Sequence, residues 1–267
     1  MLVWVAASST GSRCPAGAHR KENQELGDLN PTRDERMDVM SGMTMLRIDA
    51  SARTSRSLSR GLADDYVRAW QQRRPDDRIL VRDVGTAPPP PISEAWIDAA
   101  FTPEAQRTEQ QRALLAPSDE LIDELRQADL LLMAVPMYNY GMPAALKAWV
   151  DQVVRVNETF TFDLARGDWP IEPVLAGKTL VLLTSSGEFG FDPGGVRADH
   201  DHLTPHLRTC SRYLGVAETH RIAIEYQEFR DERHRRSVAK AQAEVGRLVD
   251  HLSRCTPEQA QIGPAAR

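Results

Sequence analysis

The run Ala50-Ser51-Ala52-Arg53-Thr54-Ser55-Arg56-Ser57 gathers hydroxyls at Ser51, Ser55 and Ser57 beside the guanidinium groups of Arg53 and Arg56. If a helix begins at its end, the run also presents unpaired backbone N–H groups and the positive end of the helix dipole, which together make an anion site. Arg53 or Arg56 offers a charge-assisted bond to the same anion. The run is neither GxGxxG nor GxxxxGK[ST], so it suits a ligand with one terminal phosphate. The same serines would equally cap a helix with no ligand at all, and both readings stand at this point.

A second run, Pro136-Met137-Tyr138-Asn139-Tyr140-Gly141-Met142-Pro143, sets two aromatics and an amide between prolines. A planar heterocycle needs flat apolar walls and a few fixed hydrogen bonds, and this run supplies both. The plainer alternative is a rigid turn whose rings cover the end of a sheet.

Positioning these runs is the task of the surrounding elements. Between residues 43 and 253 short apolar runs alternate with longer amphipathic ones, the pattern of βαβ units around a parallel sheet. The expected strands are 45–49, 79–83, 130–135, 179–184 and 220–225. Expected helices cover 57–73, 93–101, 103–115, 118–127 (capped by Ser118), 143–154, 202–213 and 230–253. Pro88-Pro89-Pro90-Pro91 forbids helix and marks a loop. The 130–135 run is apolar throughout, as a central strand covered on both faces should be. Tyr66, Trp70 and Trp149 share helical spacing with other apolar residues and belong to the core. The fold class is thus α/β, a doubly wound five-stranded parallel sheet of order 2-1-3-4-5. In such sheets ligands bind beyond the carboxyl ends of the strands, here between the first and third, where both runs lie.

The chain has 267 residues, 41% hydrophobic and 27% charged, with a net charge of −5. That charge gives no basic field for nucleic acid or for an anionic membrane surface. Cys14, Cys210 and Cys255 form no CxxC pair, which argues against a disulfide framework or structural zinc and for a reducing cytosol. The apolar runs at 2–7 and 130–135 fall far short of the roughly 20 residues that cross a bilayer. No Lys or Arg precedes the first of them, so it fails as a signal peptide. Residues 1–42 are polar and aperiodic and are expected to be a disordered extension, with Met43 or Met45 as the true start. N-terminal sequencing of native protein that returned Met1 or Leu2 would refute that start. Residues 254–267 are expected to be a flexible tail.

The second run continues to Leu146-Lys147-Ala148-Trp149-Val150-Asp151, with Gly177-Lys178 before the fourth strand and Leu203-Thr204-Pro205-His206-Leu207 after it. Together these segments resemble the FMN-dependent NADH azoreductase and NAD(P)H:quinone oxidoreductase family, over essentially residues 43–253. The resemblance implies a flavodoxin-like fold, a homodimer, bound FMN and NADH or NADPH as co-substrate. It implies two-electron, ping-pong reduction of quinone and azo acceptors, with the flavin rather than a side chain carrying the hydride. Ser51, Ser55, Arg56 and Ser57 would surround the FMN phosphate. Met137, Tyr138, Asn139 and Tyr140 would contact the isoalloxazine, and Ser185, Ser186, Gly187 and Glu188 would run along its pyrimidine edge. The chain departs from the family at Glu188, where a second glycine is common, and at Leu58, where an Asn often follows the serines. A carboxylate near the ring would lower its reduction potential, since reduction adds negative charge.

The resemblance also places Asp199-His200-Asp201-His202 at a helix start, where Asp199 or Asp201 serves as a cap, so no metal is expected despite His206 four residues on. Phe160, Phe162 and the proline-rich 88–117 region are expected to be either substrate walls or dimer core. The competing reading is a non-enzymatic, flavodoxin-like FMN electron carrier. Inserts after the second strand and before the fourth favour an enzyme. A receiver-type signalling domain would need a phosphorylatable Asp ending the third strand, where this chain has Val135-Pro136.

Overall fold

The computed structural model describes residues 42–254, so the expectations for the N-terminal extension and for the tail beyond Arg254 lie outside the described residues. Five parallel strands form the main sheet: β1 (Thr44–Asp49), β2 (Arg78–Asp83), β3 (Leu130–Pro136), β6 (Lys178–Ser185) and β7 (Val216–Ile224). Their order is β2-β1-β3-β6-β7, which is the expected 2-1-3-4-5 once only the long strands are counted. β3 is buried at every residue. Alternation divides it between two cores, with Leu131, Met133 and Val135 on one face and Leu130, Leu132 and Ala134 on the other.

Helices α1 (Leu58–Arg73) and α6 (Glu232–Leu252) cover the second face through Leu62, Tyr66, Trp70, Val245 and Val249. The first face is covered by α3 (Glu109–Gln127), α4 (Ala144–Val153) and α5 (Thr204–Ser211), through Leu121, Ile122, Trp149 and Leu207. Tyr66, Trp70 and Trp149 lie in these cores as expected. The short helix α2 (Glu94–Phe101) packs Trp96, Ala99 and Ala100 with Leu115 in a small cluster of its own. Much of the apolar surface of the proline-rich insert is therefore spent internally.

Two expectations about the elements need correction. The helices expected at 103–115 and 118–127 are a 3-10 turn, Glu104–Gln106, followed by the single helix α3. Pro117 does not break α3: the one bond its missing N–H removes would run to the carbonyl of Ala113, a residue on the exposed face. The helix starts instead at a capping box formed by Thr108 and Gln111. Ser118 is buried and caps nothing: its hydroxyl donates to the Gln152 carbonyl at 2.6 Å and accepts from Arg155 at 2.9 Å. Ser118→Ala would leave both partners short of a bond inside the protein, and should cost about 1–3 kcal/mol in urea denaturation. The long connection after α4 contains the antiparallel pair β4 (Phe160–Phe162) and β5 (Ile171–Pro173). Alternation over three residues is too short to be recognised as a strand.

Candidate active site

The registers bring the ends of β1, β3 and β6 side by side, with Asp49 opposite Ala134 and Pro136 opposite Ser185. Two backbone bonds extend the alignment into the loops: Ala50 N–H to the Ala134 carbonyl at 3.0 Å, and Met137 N–H to the Ser185 carbonyl at 2.8 Å. The three candidate loops therefore leave neighbouring strands at the sheet's carboxyl edge.

In the first loop Ser51 is buried and Ser55 and Arg56 are exposed. Ser57 is the N-cap of α1, its Oγ accepting from the Arg60 N–H at 3.4 Å. The capping reading is thus correct for Ser57, yet it accounts for little of the loop. The N–H groups of Ala52, Thr54, Ser55 and Arg56 have no acceptor among the described residues. Arg56 sits at φ 58°, the left-handed conformation from which anion-binding nests of successive N–H groups are built, just ahead of the positive end of α1.

What shapes this nest was missed in the sequence. Arg60 is buried, and its Nη2 donates to the Ser51 carbonyl at 2.6 Å. Since the next peptide is trans, that bond turns the Ala52 N–H away from Arg60 and toward the open side of the loop. Asp83 holds the guanidinium with two bonds, 2.8 and 2.6 Å, and Asp49 lies 3.3 Å away. Arg47 pairs with Asp49 at 3.0 Å and with Asp64 at 2.7 Å. Hydrogen bonds from Arg60 hold the Asp83 carboxyl below its ordinary range, whereas burial pushes Asp49 up despite its two arginines. From the other side comes Gly85, whose N–H donates to the Asp49 carbonyl at 3.0 Å. A Cβ there would stand 2.0 Å from the Ser51 carbonyl oxygen. The available signal was an arginine in the first turn of a helix, where the dipole disfavours it, facing Asp residues at two strand ends.

The second loop is a two-residue hairpin turn. Tyr138 and Gly141 exchange both backbone bonds at 3.0 Å, with Asn139 at φ 48° and Tyr140 at φ 65° between them. Positive φ at both central residues is the type I′ pattern, usual for Asn and costly for a bulky aromatic. Strain of this kind collects where function fixes the backbone. Tyr140 is held by the His202 N–H on its carbonyl at 3.0 Å and by ring contacts with Phe191 and His200. Tyr138 and Tyr140 remain well exposed, while Met137 packs partly into the core.

The third loop follows β6, with Ser185 and Ser186 buried and Gly187 and Glu188 half-buried. A fourth segment, absent from the sequence reading, zips onto it. The N–H groups of Tyr226, Gln227 and Glu228 donate to the carbonyls of Glu188, Ser186 and Gly187 at 3.1–3.2 Å. Phe189 stacks on Tyr226 at 4.4 Å. The Cβ side of Gly187 faces Glu228, whose Cγ would be 2.7 Å from an added methyl. That neighbour is a flexible side chain, so Gly187→Ala is expected to change stability by less than about 1 kcal/mol in a thermal melt.

Asp201 accepts from the N–H groups of Leu203 and Thr204 at 2.9 Å just ahead of α5, whose N-cap position is Leu203 rather than either of the two acids expected there. Among the described residues no group of three or more His, Cys, Asp or Glu could hold a metal ion. Among them no helix is long and apolar enough to cross a membrane. Phe160 is half-buried against Tyr213 at 5.8 Å, and Phe162 is exposed.

An anion nest on the first βα turn and a strained aromatic turn beyond the central strand, on a sheet of this order, define a flavodoxin-like α/β domain. The flavodoxin-like fold family matches residues 43–249. The FMN-dependent NADH:quinone oxidoreductase 2 of Idiomarina loihiensis is 51% identical over 222 residues, which is 80% of this chain and 92% of that protein. The protein of the same name from Colwellia psychrerythraea is 51% identical over 217 residues, 79% and 99% of the two chains. In fold alone, the chain resembles an FMN-dependent NADH-azoreductase from Bacillus anthracis str. Ames Ancestor in complex with FMN. The TM-score is 0.69 at 17% identity, over 79% of this chain and 99% of the other. The chain belongs to the FMN-dependent NADH:quinone oxidoreductase family.

Proposed function

We propose that this protein binds FMN at the carboxyl edge of the sheet and uses NADH or NADPH to reduce quinone and azo acceptors by a ping-pong route, as a homodimer in a reducing cytosol. The observation that carries the reading is the set of unpaired N–H groups in the first loop, which suits one phosphate and lies beside the aromatic second loop. The donors fit a monophosphate: Ser51, Ser55 and Ser57 bring hydroxyls, Arg56 brings charge, and Ala52 brings a backbone N–H aimed by Arg60. Met137, Tyr138, Asn139 and Tyr140 wall and hydrogen-bond the isoalloxazine, and Ser185, Ser186, Gly187 and Glu188 line its pyrimidine edge. When bound, FMN supplies the hydride chemistry, taking two electrons and a proton from the nicotinamide and passing them to the acceptor. The chain's task is to hold the ring, leave one face open to two substrates in turn, and keep water from it. No side chain is asked to act as a general acid or base.

Purified protein is expected to be yellow, and desalted protein to take up FMN with quenching of its fluorescence. Colourless protein that takes up no FMN overturns the reading.

A further inference from the structure

Resting on the FMN reading, we propose that Arg197 is the charge-compensating partner of Glu188, and that with Tyr140 they form a redox-tuning bridge between the second and third loops. Glu188 Oε2 accepts from the Tyr140 hydroxyl at 3.3 Å and lies 3.4 Å from Arg197 Nε. Each member of the bridge is fixed from elsewhere. Arg197 sits over the Phe189 ring, 4.5 Å from guanidinium carbon to centroid, and donates to the Phe189 carbonyl at 3.3 Å. Glu188 has its own carbonyl held by the Tyr226 N–H at 3.1 Å and the Ser186 hydroxyl at 3.0 Å. Tyr140 is the strained residue of the second loop.

A carboxylate placed between these loops has a consequence for a ring held by them. Hydride uptake from the nicotinamide brings two electrons and one proton, hence one added negative charge, which a bare carboxylate opposes. A cation in direct contact with that carboxylate turns a charge into a short dipole, whose field falls off much faster. Glu188 thus ties Tyr140 to the third loop without the electrostatic penalty a lone acid would impose. Arg197 is a positioning and compensating residue in this arrangement and touches no reacting atom.

The two single variants should act in opposite directions. Glu188→Gln leaves an unpaired guanidinium beside the ring, and Arg197→Met leaves an unpaired carboxylate. The test is the ratio of dissociation constants for oxidised and reduced FMN, measured anaerobically on desalted wild type, E188Q, R197M and the double variant. R197M is expected to weaken reduced FMN about tenfold relative to oxidised FMN, equivalent to a downward shift of about 30 mV for a two-electron couple. E188Q should shift the ratio the other way by a similar factor, and the double variant should return within about threefold of wild type. Single variants that bind FMN with an unchanged ratio, or that shift in the same direction, overturn the inference alone. Wild type that takes up no FMN overturns the FMN reading and this inference with it.

Discussion

Gly85→Ala protein is expected to fold and to bind FMN one to two orders of magnitude more weakly than wild type. The added methyl would stand 2.0 Å from the Ser51 carbonyl oxygen and 2.5 Å from its carbon. Both are backbone atoms, so no side-chain rotation relieves the clash, and the loop that forms the anion nest must move. Overpacking of this kind costs about 1–3 kcal/mol. Much of that falls on the Ser51–Ala52 peptide, whose N–H is proposed to meet the FMN phosphate, and about 1.4 kcal/mol is a tenfold loss of affinity. Fluorescence quenching by desalted protein gives the constant directly. An unchanged constant in a folded variant would show that the phosphate is held elsewhere.

Arg60→Ala should be the most destabilising single change in the site, lowering unfolding free energy by about 3 kcal/mol. Removing one partner of a buried ion pair costs about 3–5 kcal/mol, because it strands the other charge. The lower end applies here, since the Asp83 side chain keeps 32% of its exposure and water takes up part of the loss. Asp49 keeps Arg47 at 3.0 Å as a partner, while the Ser51 carbonyl loses its donor. Urea denaturation measures the loss, and a value under about 1 kcal/mol would mean that the cluster is not what fixes the loop.

The same cluster sets an acid limit. Asp83 titrates below its ordinary value, so its contribution is complete above about pH 4 and fades as pH falls through its lowered folded value. Asp49 has the opposite sign. Its raised value means that its ionisation weighs against the fold as pH rises past the ordinary range, and that mild acid relieves this cost before Asp83 begins to fail. Stability should therefore hold through mild acid and drop only below the usual carboxylate range. In Asp83→Asn protein that late drop should be reduced.

The sheet and its loops were legible because periodicity reports burial directly. The apolar 130–135 run could only be a strand covered on both faces, and its place in the order put two chemically rich loops at one edge. Where the reading failed, the decisive contacts were nonlocal. Pro117 and Ser118 together look like a helix boundary, yet the hydroxyl of Ser118 answers to Gln152 and Arg155 on the far side of a helix pair. Arg60 drew no attention in the sequence, because Asp49 and Asp83, which close around it, come from the ends of two strands distant along the chain. Gly85 carries no sign in the sequence that its neighbour in space is Ser51. Tyr226 was readable as an aromatic just past a strand, but its bond to the Glu188 carbonyl depends on which strand lies next to which. Chain-local chemistry named the loops, and tertiary contacts decided how each is held.

The most direct test of the central claim is an anaerobic titration of the FMN-loaded protein, followed at the flavin's visible absorbance. Addition of NADH is expected to bleach the spectrum before any acceptor is present, and a later addition of benzoquinone should restore it fully, the order that ping-pong turnover requires. A flavin that NADH and NADPH both leave oxidised would contradict the assignment and point to an electron carrier on the same fold.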